Sequence, residues 1–326
     1  MGAREAPLSQ EVARSLLQTV APGSDLLAVE RLEGSFSNST DLVHACAADG
    51  SELCIVPRRY AISGDYDRGA KARREFRALQ IMHRAGVPVP EPLYLDDRGA
   101  LLGTPGIVTR YVPGRLVMSP PYPPRWAYAL AGTLARIHST PCGAGDVGCL
   151  LDARAEALWF LRRREGMPDY VRAHPQGLAV WQALLDLAPR LGAVRPAIVH
   201  IDYWSGNVLW GGDEILAVVD WEEASYGDPG IDVGYCRMDM VLSGESDAAD
   251  EFLAVYEATM GAAVADLALW ELAAAIRPMK NPAGWVTESP AKERFAGFVD
   301  GALRRARLER RGGRRACGSG PYGRPG

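Results

Sequence analysis

The spacing of apolar residues changes once along this chain, and that change limits its fold more than any other feature. Up to about residue 112 short alternating runs dominate. DLLAVERLEG, TDLVHACAADG and SELCIVPRRY read as three strands, the last two joined by an Asp49-Gly50 turn, so an antiparallel meander is expected. LYLDDRGALL and GIVTRYVPG read as two more. Ser9 is placed to cap a first helix, SQEVARSLLQTV, and ARREFRALQIMHRAG is an amphipathic second one closed by Gly86. From Tyr122 onward the apolar residues fall at helical spacing, in PRWAYALAGTLARIHS and near 152–165, 175–192, 247–260, 264–277 and 289–308. Only Ala197 to Asp220 interrupts with strand-like runs. The expected class is therefore α+β, with a sheet-bearing region at 1–112 and a mainly helical region at 113–308, divided where VTRYVPGR runs into Pro113-Gly114. Residues 309–326, rich in Gly and Arg with almost no large apolar side chain, are expected to form a disordered tail.

Composition narrows the function. A chain of 326 residues with 48% hydrophobic composition can bury a large core, and a net charge of −4 excludes a dedicated nucleic-acid binder. No apolar run approaches the roughly 18–20 residues of a spanning helix, so no membrane partner is expected. The N-terminus lacks the apolar core of a signal peptide, and Ala6 stands where a myristoylation signal wants Ser or Thr. Cysteines 46, 54, 142, 149, 236 and 317 show neither a C-x-x-C nor a zinc-type spacing and read as the reduced thiols of a cytoplasmic protein.

The interruption at 197–220 carries the chemistry. In HIDYWSGNVLWGGDEILAVVD two apolar runs flank Gly-Gly-Asp, a strong hairpin signal. A hairpin returns Asp220 toward Asn207, and Asp202 lies one loop before Asn207. A lone D-x-x-x-x-N is an ordinary loop pattern, but an amide and two carboxylates at one end of a ribbon suit transfer of phosphate from a Mg-nucleotide. Magnesium prefers oxygen and takes one or two carboxylates plus phosphate oxygens, so Asn207 and Asp220 are the candidate metal ligands. Asp202, left uncoordinated, is the candidate base for an attacking hydroxyl.

These residues, with Trp221, Glu222, Gly227-Asp228-Pro229 and Asp232, resemble the aminoglycoside phosphotransferase and choline kinase group of small-molecule kinases. The resemblance covers roughly residues 25–300. It implies a protein-kinase-like bilobal fold, with a small antiparallel-sheet N-lobe carrying a helix and a larger mainly helical C-lobe. It implies ATP (or GTP) and Mg2+, and an O-phosphotransferase acting on a small hydroxylated substrate. Gly34, Ser35, Ser37 and Asn38 then occupy the phosphate loop, Arg58 the phosphate-binding cation and Glu75 its acidic partner. Backbone groups of Thr109, Arg110, Tyr111 and Val112 would face adenine. His200, Asp228 and Asp232 support the catalytic loop, Asp228 as a helix cap and Asp232 through the loop backbone. His138 reads as a buried, hydrogen-bonded histidine. Trp204, Glu222 and Asp239 are candidates for the acceptor side, Trp204 equally as a packing residue and Asp239 within a solvated acidic helix start.

Two positions depart from the family pattern. Ile201 stands where the family has glycine between His and Asp, and Pro57 precedes Arg58 in a way that implies an edge strand or a bulge. They keep open an alternative, a nucleotide-binding module of pseudokinase type with weak turnover. A protein kinase is disfavoured, because only WEEASY separates Asp220 from Gly227. The acceptor (aminoglycoside, macrolide, amino alcohol or sugar) is not legible, nor is the oligomeric state.

Overall fold

The structure, a computed structural model, describes residues 7–32, 38–60, 67–117, 121 and 123–316. Its principal strands are β1 (Asp25–Arg31), β2 (Ser39–Cys46), β3 (Glu52–Arg59), β4 (Pro92–Asp96), β5 (Gly106–Arg110), β6 (Arg115–Leu116), β7 (Ala197–Val199), β8 (Val208–Gly211) and β9 (Glu214–Val218). Its principal helices are α1 (Gln10–Val20), α2 (Arg68–Arg84), α3 (Pro124–Ser139), α4 (Gly177–Leu187), α5 (Gly230–Leu242), α6 (Ser246–Met260), α7 (Leu267–Lys280) and α8 (Ser289–Ala316). The chain divides into two compact units. The first comprises Met1–Met118, Thr140–Leu151 and Gly206–Ser225; the second comprises Ser119–Ser139, Asp152–Ser205 and Tyr226–Gly326.

In the first unit β1, β2, β3, β5 and β4 form one antiparallel sheet in that spatial order. α1 begins at Ser9, whose hydroxyl accepts from Val12 N at 3.2 Å. Its buried Ala13, Leu16 and Leu17 join Val43, Ala45, Leu53, Ile55 and Val108 in one apolar cluster. α2 is capped by Asp67, which accepts from Gly69 N and Ala70 N, and the left-handed Gly86 follows its end. The hairpin of β8 and β9 turns at Gly212-Asp213, pairs Glu214 with Gly211 and Val218 with Val208, and takes β6 onto its free edge.

Pro57 lies in β3, which is interior to the sheet, and not on an edge. It stands opposite Val108 on β5, while the pairs formed with β2 skip from Ile55 to Arg58. An interior proline survives there because the neighbouring pairs Val43–Ile55 and Thr40–Arg58 hold the strand on both sides of the missing donor.

The second unit is mainly helical. Its core joins Val180 and Leu184 of α4, Met238 of α5, Trp270 and Leu272 of α7, and Phe295 and Val299 of α8, all buried. At the crossing of α5 and α7, a Cβ on Gly234 would lie 2.7 Å from the Trp270 carbonyl carbon, so only glycine allows this approach. Arg237 Nε meets Glu271 Oε1 at 3.0 Å and Arg305 Nε meets Glu271 Oε2 at 2.9 Å, so one buried carboxylate serves three helices. α8 continues to Ala316, past the limit at residue 308 set from composition. The residues there, Arg, Glu and Ala beside two glycines, are mostly good helix formers, which a count of apolar side chains overlooks. Residues 317–326 of the expected tail lie outside the described residues.

Candidate phosphotransfer site

In the first unit the hairpin register positions the expected metal ligands. Val219 N donates to Asn207 O at 2.9 Å, which places residue 207 opposite residue 219, the neighbour of Asp220. Asp220 adopts φ 68°, a left-handed conformation that Asp tolerates better than most residues. The next residue, Trp221, is buried and ties its indole N–H to Val218 O at 3.0 Å.

Around Asp220 the unit gathers charge from four elements. Arg58 Nη2 contacts Asp220 Oδ1 at 2.5 Å and Glu222 Oε2 at 3.3 Å, and Arg58 Nη1 lies 3.5 Å from Glu75 Oε1. Lys71 Nζ reaches Glu222 Oε1 at 3.1 Å, Asn38 Nδ2 donates to Glu222 Oε2 at 2.7 Å, and Arg74 Nε donates to Glu222 O at 2.7 Å. Tyr60 donates its hydroxyl proton to Glu75. Burial works against the Arg58 charge, but Asp220 and Glu75 outweigh it and hold the guanidinium charged well above arginine's ordinary range. Burial raises the Glu75 carboxyl, with Arg58 pulling the other way. Burial also resists ionisation of Glu222, yet Arg58 and Lys71 together bring its carboxyl below the ordinary glutamate value.

Three cations, Arg58, Lys71 and Arg74, thus meet the Glu75, Asp220 and Glu222 carboxylates and the Glu222 carbonyl, with the Asn38 amide nearby. Carboxylate oxygens gathered in this way suit a hard divalent cation. Asn38 and Glu222 are joined here, so Glu222, read from sequence as an acceptor-side candidate, lies beside the phosphate-side cations. Thr109 and Arg110 end β5, where Arg110 N donates to Glu91 O and Tyr111 N donates to Cys54 O at 3.0 Å; Val112 O accepts from Gly114 N at 2.8 Å. Gly34, Ser35 and Ser37 lie outside the described residues.

In the second unit the loop after β7 carries Asp202. Asp232 Oδ2 accepts from His200 N at 2.8 Å and Asp232 Oδ1 accepts from Ile201 N at 2.7 Å, so one carboxylate from the first turn of α5 fixes two loop amides. The same carboxylate lies 3.2 Å from His138 Nε2, and His138 Nδ1 is 2.7 Å from the Tyr256 hydroxyl. His200 is buried and its ring meets Tyr203 edge-on, with 6.2 Å between centroids. The helix begins one residue later than expected: Pro229 occupies the cap position, and Asp228, one residue before it, accepts from Gly230 N through Oδ1 at 2.9 Å.

Asp202 differs most from expectation. It is ion-paired: Arg277 Nη1 meets its Oδ1 at 2.6 Å, Arg277 Nη2 donates to Ile201 O at 3.2 Å, and the guanidinium lies 4.4 Å from the Tyr235 ring centroid. Burial, then the Asp202 charge, push the Tyr235 phenol well above its ordinary range. A cavity of about 30 Å³, room for a water, is bounded by Ile201, Tyr235, Trp270 and Arg277. Trp204 packs partly buried against the helical core. Asp239 is buried in α5, not in a solvated helix start, because the apolar face of that helix extends over nearly its whole circumference.

Arg277 and Lys71 are the functional candidates that sequence reading passed over. Arg277 lies 75 residues from Asp202 on a helix of ordinary pattern, and no local spacing marks it. Lys71 is one of three lysines in the chain, and that scarcity was the only available signal.

Comparison with known proteins identifies the family and the fold. Residues 29–270 match the model of the phosphotransferase enzyme family. Acyl-CoA dehydrogenase family member 10 of Mus musculus is 31% identical over 175 residues, half of this chain and 16% of the relative. Family member 11 of Gallus gallus is 29% identical over 191 residues, 51% of this chain and 22% of that relative. The chain therefore spans less than a quarter of either relative's length. Among solved structures, a spectinomycin phosphotransferase in complex with ADP and spectinomycin aligns with a TM-score of 0.59 at 13% identity, covering 92% of this chain and 98% of that one. The macrolide 2'-phosphotransferase of Brachybacterium faecium aligns with a TM-score of 0.57 at 19% identity, covering 85% and 94%. These structures share the kinase-like fold, and the family match extends from β1 into α7: the chain belongs to the phosphotransferase enzyme family.

Proposed function

We propose that the protein is an ATP-dependent O-phosphotransferase, with GTP as the alternative donor, that phosphorylates a hydroxyl of a small molecule. The observation that carries this reading is the hairpin register that sets Asn207 opposite the residue before Asp220, with Arg58 at 2.5 Å from the Asp220 carboxylate. Asn207 and Asp220 would hold Mg2+, which when bound neutralises phosphate charge and orients the transferring group. Arg58, kept charged by Asp220 and Glu75, binds the phosphates nearer the nucleoside as a planar fork. Lys71, held by Glu222, adds a second cation on the same unit.

Asp202 accepts the proton of the acceptor hydroxyl while that oxygen bonds the γ-phosphorus and the bond to the bridging oxygen breaks, releasing the nucleoside diphosphate. Arg277 holds the Asp202 carboxylate in place and, through Ile201 O, the loop that presents it. Four residues separate Asp202 from Asn207, so a short span of chain links the base to the metal-binding hairpin. The Asp202–Arg277 pair also favours a second reading, a nucleotide-binding module whose base is held in reserve and whose turnover is weak.

The experiment is phosphate transfer from labelled ATP across a panel of aminoglycosides, macrolides, amino alcohols and sugars, beside nucleotide binding, for three variants. Asp202→Asn is expected to keep nucleotide binding and lose transfer by at least about 100-fold. Asn207→Ala and Asp220→Asn are expected to weaken Mg2+-dependent nucleotide binding as well. Transfer undiminished in Asp202→Asn removes the base assignment. Binding without transfer to any acceptor supports the second reading.

A further inference from the structure

The face of the sheet turned away from the buried Val43, Ala45, Leu53 and Ile55 carries a second concentration of ligating groups, in the first unit and remote in sequence from Asn207 and Asp220. His44 on β2 stands directly opposite Cys54 on β3, and Cys46 stands opposite Glu52. Alternation along a strand puts all four on one face. Cys54 Sγ lies 3.4 Å from His44 Nδ1 and 3.6 Å from Glu52 Oε1, and the ligand atoms of His44, Glu52 and Cys54 all fall within 4.8 Å of one another. His44 Nε2 lies 3.7 Å from Glu30 Oε1 on β1.

The two separations from Cys54 Sγ match a tetrahedral edge. Zinc bonds of about 2.0–2.3 Å to N, O and S place neighbouring ligand atoms roughly 3.3–3.8 Å apart. A thiol has one proton and here has two acceptors within reach, so hydrogen bonding alone satisfies only one of them at a time. A cation replacing that proton engages all three groups. Coordination through Nδ1 leaves the proton on Nε2, where Glu30 is placed to receive it, the carboxylate–histidine arrangement that fixes the ring of a metal-bound histidine. The set is mixed in softness, one sulfur, one imidazole nitrogen and one carboxylate oxygen, which selects zinc-like ions over Mg2+.

We propose that this face of the sheet is a binding site for a zinc-type divalent cation, ligated by His44, Cys54 and Glu52 with Glu30 behind the histidine. No zinc-type spacing announces it, because His44 and Cys54 are cross-strand partners ten residues apart. Cys54 also receives Tyr111 N on its carbonyl at 3.0 Å, so an ion at this site would stiffen the strand that contacts the chain after β5.

The test is titration of the full-length, chelator-treated protein with Co2+, reading the thiolate-to-cobalt charge-transfer absorption. The wild type is expected to show this band at one equivalent and to lose it on addition of Zn2+. Cys54→Ser and His44→Gln are expected to abolish it, and Glu30→Gln to weaken Co2+ binding about tenfold. Asp220→Asn is expected to leave the band unchanged. Should Cys54→Ser fail to fold, the exposed Glu52→Gln carries the same expectation of weakened binding. Absence of the band in the wild type, its persistence in Cys54→Ser, undiminished Co2+ affinity in Glu52→Gln, or its loss in Asp220→Asn overturns the proposal.

Discussion

Ile201 carries the sharpest local conflict in the chain. A β-branched residue at φ 75° is a steric outlier, and the family's usual glycine at this position is what such a backbone favours. The conformation is held from both sides: Asp232 accepts the Ile201 N–H and Arg277 donates to its carbonyl. The left-handed backbone costs a non-glycine residue about 1–2 kcal/mol, whereas emptying the buried Ile201 side chain costs about 2–5 kcal/mol. Burial therefore wins, and wild-type Ile201 is expected to be more stable than either Ile201→Gly or Ile201→Ala. Between the two variants glycine is expected to be the more stable by roughly 0.5–1 kcal/mol, the reverse of the usual order. Urea unfolding of both measures it; alanine more stable than glycine would mean that the left-handed backbone is not what Ile201 adopts.

At the scale of elements, glycines have opposite meanings in two helices. Gly234 in α5 faces the backbone of α7, where an added Cβ would lie 2.7 Å from Trp270 C and 2.9 Å from Glu271 N. Backbone cannot step aside as a side chain can, so Gly234→Ala is expected to destabilise by about 1–3 kcal/mol. Gly132 inside α3 has open space within 4 Å of the same added atom. Gly132→Ala is expected to stabilise by about 0.5–1 kcal/mol, since it removes only the entropy cost of glycine in a helix. Thermal unfolding of the pair gives shifts of opposite sign; equal shifts would contradict the helix crossing described. The hairpin of β8 and β9 was readable from Gly-Gly-Asp because turn chemistry is local. The central place of Pro57 was not, because strand order is set by contacts between segments distant in sequence.

For the whole molecule, acid sensitivity follows from groups the folded state keeps uncharged. Burial lowers the His174 imidazole below its ordinary value; its ring packs edge-on against Phe295 and its Nδ1 accepts from Gln176 N at 3.3 Å. A histidine depressed on folding binds its proton more readily in the unfolded chain. Its contribution is therefore present above about pH 6.5 and lost as pH falls through the window below it. His174→Gln is expected to flatten the fall in unfolding midpoint as pH drops below about 6.5; an unchanged slope would assign the acid sensitivity to other groups. The periodicity made the α+β class legible, and the Asp202-to-Asp232 block made the family legible. Arg277, the three-helix bridge at Glu271 and the His44–Cys54 pairing were not, since each joins residues whose sequence neighbourhoods carry no mark of the other partner.

Mn2+ binding followed by electron paramagnetic resonance reads the nucleotide-bound cation proposed at the ends of the β8–β9 hairpin. Asn adopts the left-handed backbone that Asp220 requires, so Asp220→Asn removes charge with little strain. An ATP-dependent Mn2+ site is expected in the wild type, with at least about tenfold weaker Mn2+ binding in Asp220→Asn and the fold retained. ATP-dependent Mn2+ binding of equal strength in both proteins would contradict it.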